Sequence, residues 1–213
     1  MSMEPFKSLR AVALPIAQPN FDTDQILPAR FLQKPRALNF GEFLFRDLRY
    51  RGDGAENPDF VLNQPAYRPA RIVLGEANFG CGSSREHAVW ALYDYGIRAV
   101  IAPSMGDIFM SNAAKNGLLT IVLPAPAVAR MIDATLATPG LEIAVDLEAQ
   151  TVSIAEVSAG SVPAPIRSHG EETPYRFEID AYRKKCLLTG LDELGYTLTQ
   201  LDKIESFERS YTG

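Results

Sequence analysis

The sequence has few of the residues that bind metals or form disulfides. It contains two cysteines, Cys81 and Cys186, and two histidines, His87 and His169, among 213 residues. The cysteines lie far apart and no C-x-x-C motif is present, which argues against a disulfide framework. A zinc or iron–sulfur site needs about three or four ligands. We therefore expect no metal to be bound by this chain alone.

Long apolar runs and an excess of positive charge are also missing. No segment approaches the roughly 20 apolar residues needed to cross a bilayer. The N-terminal stretch MSMEPFKSLRAVALPI has charges and prolines where a secretory signal would have an uninterrupted apolar core. The net charge is −5, whereas nucleic-acid binding needs a concentrated basic surface. These absences predict a cytoplasmic protein that binds neither membranes nor nucleic acid.

The clearest pattern is an alternation of short apolar runs and helix-like segments. The runs are RIVLG, RAVIA and LLTIVL, at residues 71–75, 98–102 and 118–123. The first intervening helix is expected to stop at Gly96, and the second to end at Asn116. Ser104 opens that second helix, with Asp107 placed for a capping box. Short connections and continuous apolar strands predict a parallel βαβαβ core covered on both faces.

The rest of the chain adds strands and helices around that core. We assign a strand to 10–16, a turn to 19–24, a long loop to 52–69, a helix to 125–136, a hairpin to 141–146 and 151–157, a loop to 158–173, a strand to 175–180, and one or two helices to the C-terminus. The sequence contains neither repeats nor a low-complexity linker. We therefore predict one α/β domain over residues 1–213.

The segment NFGCGSSREHAVWAL joins a strand end to a helix with unusual polarity. Gly80 and Gly82 allow the backbone to approach a ligand, and Ser83, Ser84 and Arg85 follow directly. A helix start has free N–H groups and the positive end of the peptide dipoles, so it attracts anions. Arginine adds a planar fork that suits two carboxylate oxygens. The junction therefore predicts a carboxylate or phosphate site.

Better-known motifs do not fit this junction. A P-loop would need lysine after its last glycine, and G-x-G-x-x-G would need glycine in place of Arg85. A nucleophile elbow centred on Ser84 would need glycine in place of Glu86. Two alternatives stay open: a serine hydrolase that pairs Ser83 or Ser84 with His87, and a carboxylate-binding module without catalysis. A histidine one turn into a helix is more often a packing or hydrogen-bonding residue.

A second polar stretch, NFDTDQILPARFLQKPR, lies near the N-terminus. Asp22 and Asp24 flank Thr23 in a turn of the kind that Asx hydrogen bonds stabilise. Three basic residues follow and could add positive charge for an anionic ligand: Arg30, Lys34 and Arg36.

The segments NFDTDQILPARFL and NFGCGSSREHAVWALYDYGIRAVIAPSMGDIF together resemble the small-subunit family of the 3-isopropylmalate dehydratases, in the aconitase superfamily. The likeness continues through NPDFVLNQP, KNGLLTIVL, VDLEAQTV and KKCLLTGLDELGYTL, nearly to the C-terminus. It implies a swivelling β/β/α domain that docks onto a separate large subunit to form a heterodimer. That partner would carry three cysteines and a [4Fe-4S] cluster, which would account for the missing ligands here.

The resemblance also implies a reaction and roles for particular residues. The reaction converts 2-isopropylmalate into 3-isopropylmalate in leucine biosynthesis, by removing water and adding it back. Ser83 matches the family's catalytic base, which acts as an alkoxide. Ser84 and Arg85 match positions that hold a carboxylate of the dicarboxylate substrate. A helix N-terminus and nearby positive charge would stabilise such an anion.

Four further residues receive roles from the same resemblance. Asp24 and His87 match positions that support the active site, and Arg36 is spaced like an arginine that binds a substrate carboxylate. Leu32 lies in the loop that sets substrate choice, where an apolar side chain suits an isopropyl group. Such a contact discriminates by only about 1–3 kcal/mol. A small subunit that acts on methylmalate, citraconate or homoaconitate is therefore the nearest alternative.

Overall fold

The computed structural model describes residues 3–155 and 174–211. Within them seven strands form one sheet, in the order β4-β3-β2-β1-β5-β6-β7. The strands are β1 (Ser8–Ile16), β2 (Ile72–Gly75), β3 (Ala99–Ala102), β4 (Leu119–Val122), β5 (Glu142–Asp146), β6 (Thr151–Ile154) and β7 (Tyr175–Arg176). Strands β1 to β4 pair in parallel, and β1, β5, β6 and β7 pair antiparallel.

The helices connect these strands and cover the sheet. They are α1 (Thr23–Ile26), α2 (Arg46–Arg49), α3 (Glu86–Tyr95), α4 (Asp107–Lys115), α5 (Ala125–Ala137), α6 (Ala181–Thr189), α7 (Glu193–Leu198) and α8 (Leu201–Tyr211), with short 3-10 turns at Ala29–Phe31, Phe40–Phe43 and Val61–Asn63. Helices α3 and α4 are the two crossovers of the β2-α3-β3-α4-β4 unit. The predicted parallel βαβαβ core is therefore confirmed, and β1 extends it by one parallel strand.

The core consists of two apolar layers, one on each face of the parallel strands. Because side chains alternate along a strand, Val73 packs in the layer with α3 and α4, while Ile72 and Leu74 pack in the layer with α5. All four residues of β2 and all four of β3 are buried. Burial on both faces explains why these strands are continuously apolar in the sequence.

Two expectations at the C-terminal end are corrected. The predicted strand over 175–180 is only Tyr175–Arg176, since Asp180 already caps α6 by accepting a hydrogen bond from the Arg183 backbone. Three helices follow rather than one or two, because Gly190 ends α6 and Asp192 caps a separate α7. The second hairpin strand is seen as far as Ile154. The predicted loop 158–173, with His169, lies outside the described residues.

The predicted capping box at the start of α4 is wrong. The helix begins at Asp107, and Gly106 occupies the capping position without a side-chain hydrogen bond. The Ser104 hydroxyl instead accepts a hydrogen bond from the Asn78 backbone N–H at 2.9 Å. No helix in the described ranges, 3–155 and 174–211, has the length and apolarity needed to cross a membrane.

Helix α3 packs unusually closely against the 3-10 turn Phe40–Phe43. A Cβ atom on Gly41 would lie 2.6 Å from the backbone nitrogen of Tyr95 and 2.7 Å from its Cα. Only glycine therefore permits this approach without a backbone shift. The contact fixes where the chain between α1 and α2 meets the helix that follows the polar junction.

We expect Gly41→Ala to lower the free energy of unfolding by about 1–3 kcal/mol, because two backbone segments would have to separate. Urea denaturation of the purified chain would measure the change. Gly52→Ala is the matched control: nothing lies within 4 Å of a Cβ built there. Equal urea midpoints for Gly41→Ala and Gly52→Ala would contradict the close contact between Gly41 and the backbone of Tyr95.

Candidate active site

Three loops meet at the edge of the sheet where the parallel strands β1, β2 and β3 end. This edge is where open α/β sheets bind their ligands. The loop after β1 carries Asp24, and the loop after β2 carries Ser83, Ser84 and Arg85. The loop after β3 runs into α4. Both polar stretches that the sequence singles out therefore lie at one edge.

Backbone hydrogen bonds join the loop after β2 to the loop after β1. The N–H of Gly80 donates to the carbonyl oxygen of Phe21 at 2.7 Å, and the N–H of Thr23 donates to that of Cys81 at 2.9 Å. Asp22 and Cys81 pair as a parallel bridge. The two loops thus continue the parallel pairing beyond their strands, so each fixes the path of the other.

The loop after β3 holds the other side of the same segment. The N–H of Phe79 donates to the carbonyl of Ser104 at 3.1 Å, and that of Gly106 donates to the carbonyl of Phe79 at 3.0 Å. Gly80 has a φ of 67°, and a Cβ on it would overlap the ring of Phe109. Glycine at position 80 is therefore required both by its backbone conformation and by the buried ring beside it.

Ser83 is exposed, but its backbone is anchored. Its carbonyl oxygen accepts a hydrogen bond from the Thr23 hydroxyl at 3.0 Å, and Thr23 itself is buried. Ser84 is also exposed. Helix α3 begins at Glu86 with Arg85 in an extended capping conformation, so both serines lie just before the helix rather than within its first turn. Their hydroxyls are accessible from outside, at a position set by the backbone.

Arg85 is bound to a carboxylate of this same chain. Its guanidinium donates a hydrogen bond to Oδ1 of Asp24, and the same oxygen accepts one from the Ala29 backbone at 3.1 Å. The Arg85 side chain is 16% exposed and that of Asp24 is 55% exposed. The Arg85 hydrogen bond lowers the pKa of Asp24 below its usual range. Asp24 therefore stays ionised and holds the arginine beside the two serines.

His87 packs in an aromatic cluster rather than against a serine. Its ring centroid lies 4.3 Å from that of Trp90 and 5.6 Å from that of Phe40. Burial lowers the pKa of His87, and the nearby backbone of Leu32 partly opposes that shift. In the described part of the chain no hydrogen bond joins His87 to Ser83 or Ser84. The cluster therefore gives no support to a serine hydrolase.

The other two expected substrate-binding residues lie along α3. Leu32 is half-buried against the apolar layer beneath α3 and α4, and its backbone is near the ring of His87 in the first turn of α3. Arg36 donates two hydrogen bonds to Asp94, at 2.9 and 3.1 Å, in the last turn of α3. The structure thus brings Asp24, Ser83, Ser84 and Arg85 together, with Leu32 nearby and Arg36 towards the other end of the helix.

Two residues of this region are missing from the sequence-based set. Thr23 anchors the Ser83 backbone, and Asp94 binds Arg36. Asp94 follows His87 by seven residues, a spacing that puts both on one face of a helix, which is the only local signal for it. Nothing local marks Thr23, because its partner is 60 residues away. Among the described residues no group of three or more histidines, cysteines and acidic residues is arranged to bind a metal.

The chain is similar to known proteins over nearly its whole length. Residues 3–126 match the family model of the aconitase C-terminal domain. The chain is 48% identical to a 3-isopropylmalate dehydratase small subunit of Bordetella avium, over 97% of this chain and 93% of the relative. It is 47% identical to one of Paramagnetospirillum magneticum, over 98% of this chain and 96% of the relative.

The chain belongs to the family of 3-isopropylmalate dehydratase small subunits. A solved structure of 3-isopropylmalate dehydratase from Methanocaldococcus jannaschii has the same fold, with a TM-score of 0.61. It shares 22% sequence identity, covering 94% of this chain and 99% of that one. Membership in the small-subunit family confirms the resemblance drawn from the two polar stretches, whose loops are the ones joined at the sheet edge.

We expect the pKa of Asp24 to rise towards its ordinary value of about 3.9 in the Arg85→Met variant, because the cationic hydrogen-bond donor is lost. Carbon-detected NMR titration of the carboxyl groups would measure it. Since the folded pKa is lowered, the pair stabilises the protein above pH 4 or so and loses that effect as pH falls through the folded pKa.

The control for this titration is Arg30→Met, which removes the hydrogen-bond partner of Asp47 instead. It should raise the pKa of Asp47 and leave that of Asp24 unchanged. If Asp24 titrates identically in the unmodified chain and in Arg85→Met, the pair does not form in solution.

Proposed function

We propose that this chain is the small subunit of a 3-isopropylmalate dehydratase, a hydro-lyase of leucine biosynthesis that works as a two-chain enzyme in the cytoplasm. The observation that carries the proposal is the loop after β2, which presents two exposed serines beside a carboxylate-bound arginine at the ligand-binding edge of the sheet. Residues 1–213 would act as one swivelling domain that brings this edge to a large subunit.

The large subunit would supply the [4Fe-4S] cluster, since the described residues of this chain include no suitable group of ligands. When bound there, the cluster would supply Lewis-acid chemistry for the departure of the substrate hydroxyl. This chain would supply the proton transfer and part of the substrate binding. The exposure of Ser83 and Ser84 fits such a division, because the substrate would lie between the two chains.

Ser83 would remove the proton from the carbon beside a substrate carboxylate. A serine hydroxyl is a very weak acid, so its anion needs nearby positive charge and hydrogen-bond donors. Arg85 and the N-terminal end of α3 provide positive charge next to it. The Thr23 hydrogen bond holds the Ser83 backbone, which limits the movement of the reacting oxygen.

Arg85 and Ser84 would bind a substrate carboxylate. Arg85 donates a hydrogen bond to the Asp24 carboxylate, and a substrate carboxylate would be a partner of the same chemical type. Asp24 would keep the arginine in place before and after the substrate binds, and His87 would support the loop by packing against Phe40. Leu32 would face the isopropyl group. Arg36, to which the resemblance assigns a substrate carboxylate, is bound to the carboxylate of Asp94 in this structure.

We expect Ser83→Ala to lower kcat of the complex with its large subunit by at least about 100-fold, with little change in KM, because the base acts only in the transition state. The assay is anaerobic dehydration of 3-isopropylmalate by the co-expressed subunits. Ser8→Ala, at an exposed serine where β1 begins, is the matched control and should keep full turnover. Normal kcat in Ser83→Ala would exclude the proposed base.

The substrate is tested on the same complex with a panel of 2-hydroxy diacids and one tricarboxylate. Preference for 2-isopropylmalate over 2-methylmalate is expected from the apolar Leu32. Preference for the homoaconitate series would instead assign the chain to a related hydro-lyase. An iron count on each separated polypeptide should find the metal with the large subunit, and stoichiometric iron on this chain would contradict the proposal.

A further inference from the structure

The carboxylate of Asp94, in the last turn of α3, binds the loop that carries Leu32 at two points. Oδ2 of Asp94 accepts hydrogen bonds from Nη1 of Arg36 at 2.9 Å and from the Phe40 backbone at 3.0 Å, and Oδ1 accepts one from Nη2 of Arg36 at 3.1 Å. The Asp94 side chain is only 15% exposed, whereas that of Arg36 is 46% exposed. One largely enclosed anion therefore holds two points of the loop.

The guanidinium of Arg36 also lies over an aromatic ring. Its Cζ is 4.9 Å from the ring centroid of Trp90, and the Trp90 ring contacts that of His87. The Trp90 indole N–H donates to the side chain of Asn116 at 3.0 Å, which fixes the ring between α3 and α4. Arg36 is thus held by a two-pronged ion pair and by a cation–π contact at the same time.

The loop also lies against the other end of the same helix face. The backbone of Leu32 is near the ring of His87, in the first turn of α3, and that ring packs against Phe40. His87, Trp90 and Asp94 are spaced three and four residues apart and form one stripe about 10 Å long. Residues 32–40 therefore run along α3 with Leu32 at the end near the serines.

From these contacts we infer that Arg36 and Asp94 form a clamp that positions the loop bearing Leu32, so that they act on substrate selection without touching the substrate. The part of this inference that concerns substrate selection rests on the proposed function. Both hydrogen-bonding prongs of Arg36 are used by Asp94. An arginine that turned to a substrate would leave a poorly hydrated carboxylate with only the Phe40 N–H as partner, which is unfavourable.

The clamp can be tested on the isolated chain, because Trp90 is its only tryptophan and reports on this site alone. In Asp94→Asn and Arg36→Met we expect Trp90 emission to shift to the red and its quenching by acrylamide to rise by about twofold or more, since the loop no longer covers the ring. Arg36→Lys keeps the charge but lacks the fork, and should give an intermediate change.

The control for the fluorescence experiment is Asp47→Asn. Asp47 forms an ion pair with Arg30, and the two residues lie on either side of residues 32–40 in the sequence. Both side chains are more than half exposed, and neither contacts Trp90. Its emission should match that of the unmodified chain. Circular dichroism of every variant would check that the fold is retained. Unchanged Trp90 emission and quenching in folded Asp94→Asn and Arg36→Met would overturn the clamp, whatever the enzyme's substrate.

The consequence for selectivity is measured on the complex with the large subunit. Asp94→Asn and Arg36→Met should both reduce the ratio of kcat/KM for 2-isopropylmalate to that for 2-methylmalate, by a similar factor, and the double variant should be no worse. A raised KM for every diacid in Arg36→Met alone, with Asp94→Asn unaffected, would overturn the inference and make Arg36 a substrate ligand. Inactivity of the unmodified complex on all malates would reject the proposed function but leave the fluorescence result standing.

Discussion

The candidate site depends on the backbone hydrogen bonds that join three consecutive strand-end loops. The segment from Phe79 to Cys81 lies between the loops after β1 and β3 and is bonded to both of them. The approach is so close that a Cβ on Gly106 would lie 2.7 Å from the carbonyl oxygen of Gly80. Serines that must face outward cannot be fixed by packing of their own side chains. Here the position of Ser83 is set by the main chain behind it, which is a rigid extension of the sheet.

Under the proposed function, this arrangement explains how this chain's part of the site can be ordered before a second chain completes it. Two polar contacts at the edge are made within the chain, since Asp24 pairs with Arg85 and Thr23 bonds to the Ser83 carbonyl. A substrate carboxylate would therefore compete with, or share, an existing ion pair rather than enter an empty charged pocket. Such a pair is exposed enough to be weak in water, and it would strengthen when a second chain excluded solvent from it. Under the proposed function, the same residues would be stable in the isolated chain and would act in the complex with the large subunit.

The sequence allowed prediction of those features that are coded locally. Apolar runs and the glycines and asparagine that end the helices predict β2, α3, β3, α4 and β4, because strand burial and helix termination depend on neighbouring residues. The Ser104 capping box failed because that hydroxyl bonds to the Asn78 backbone, 26 residues away. Asp94 was missed for the same reason, since its partner Arg36 is separated from it by 58 residues. A polar contact between residues far apart in the chain produces no periodic pattern in a single sequence, so it cannot be predicted from that sequence.

Arg36 illustrates why a residue's position in a motif does not by itself assign its role. The family resemblance predicts that Arg36 binds a substrate carboxylate, whereas in the structure it binds the carboxylate of Asp94. Both interactions would use the same two-pronged face of the guanidinium. The two roles differ in how well water could hydrate the acidic partner after its arginine had moved to a substrate. Asp24 is exposed and can be hydrated when Arg85 turns to a substrate, but Asp94 is largely enclosed beneath the loop. Because desolvated charges are costly to leave unpaired, the burial of the acid, rather than the identity of the base, decides which arginine is available for binding.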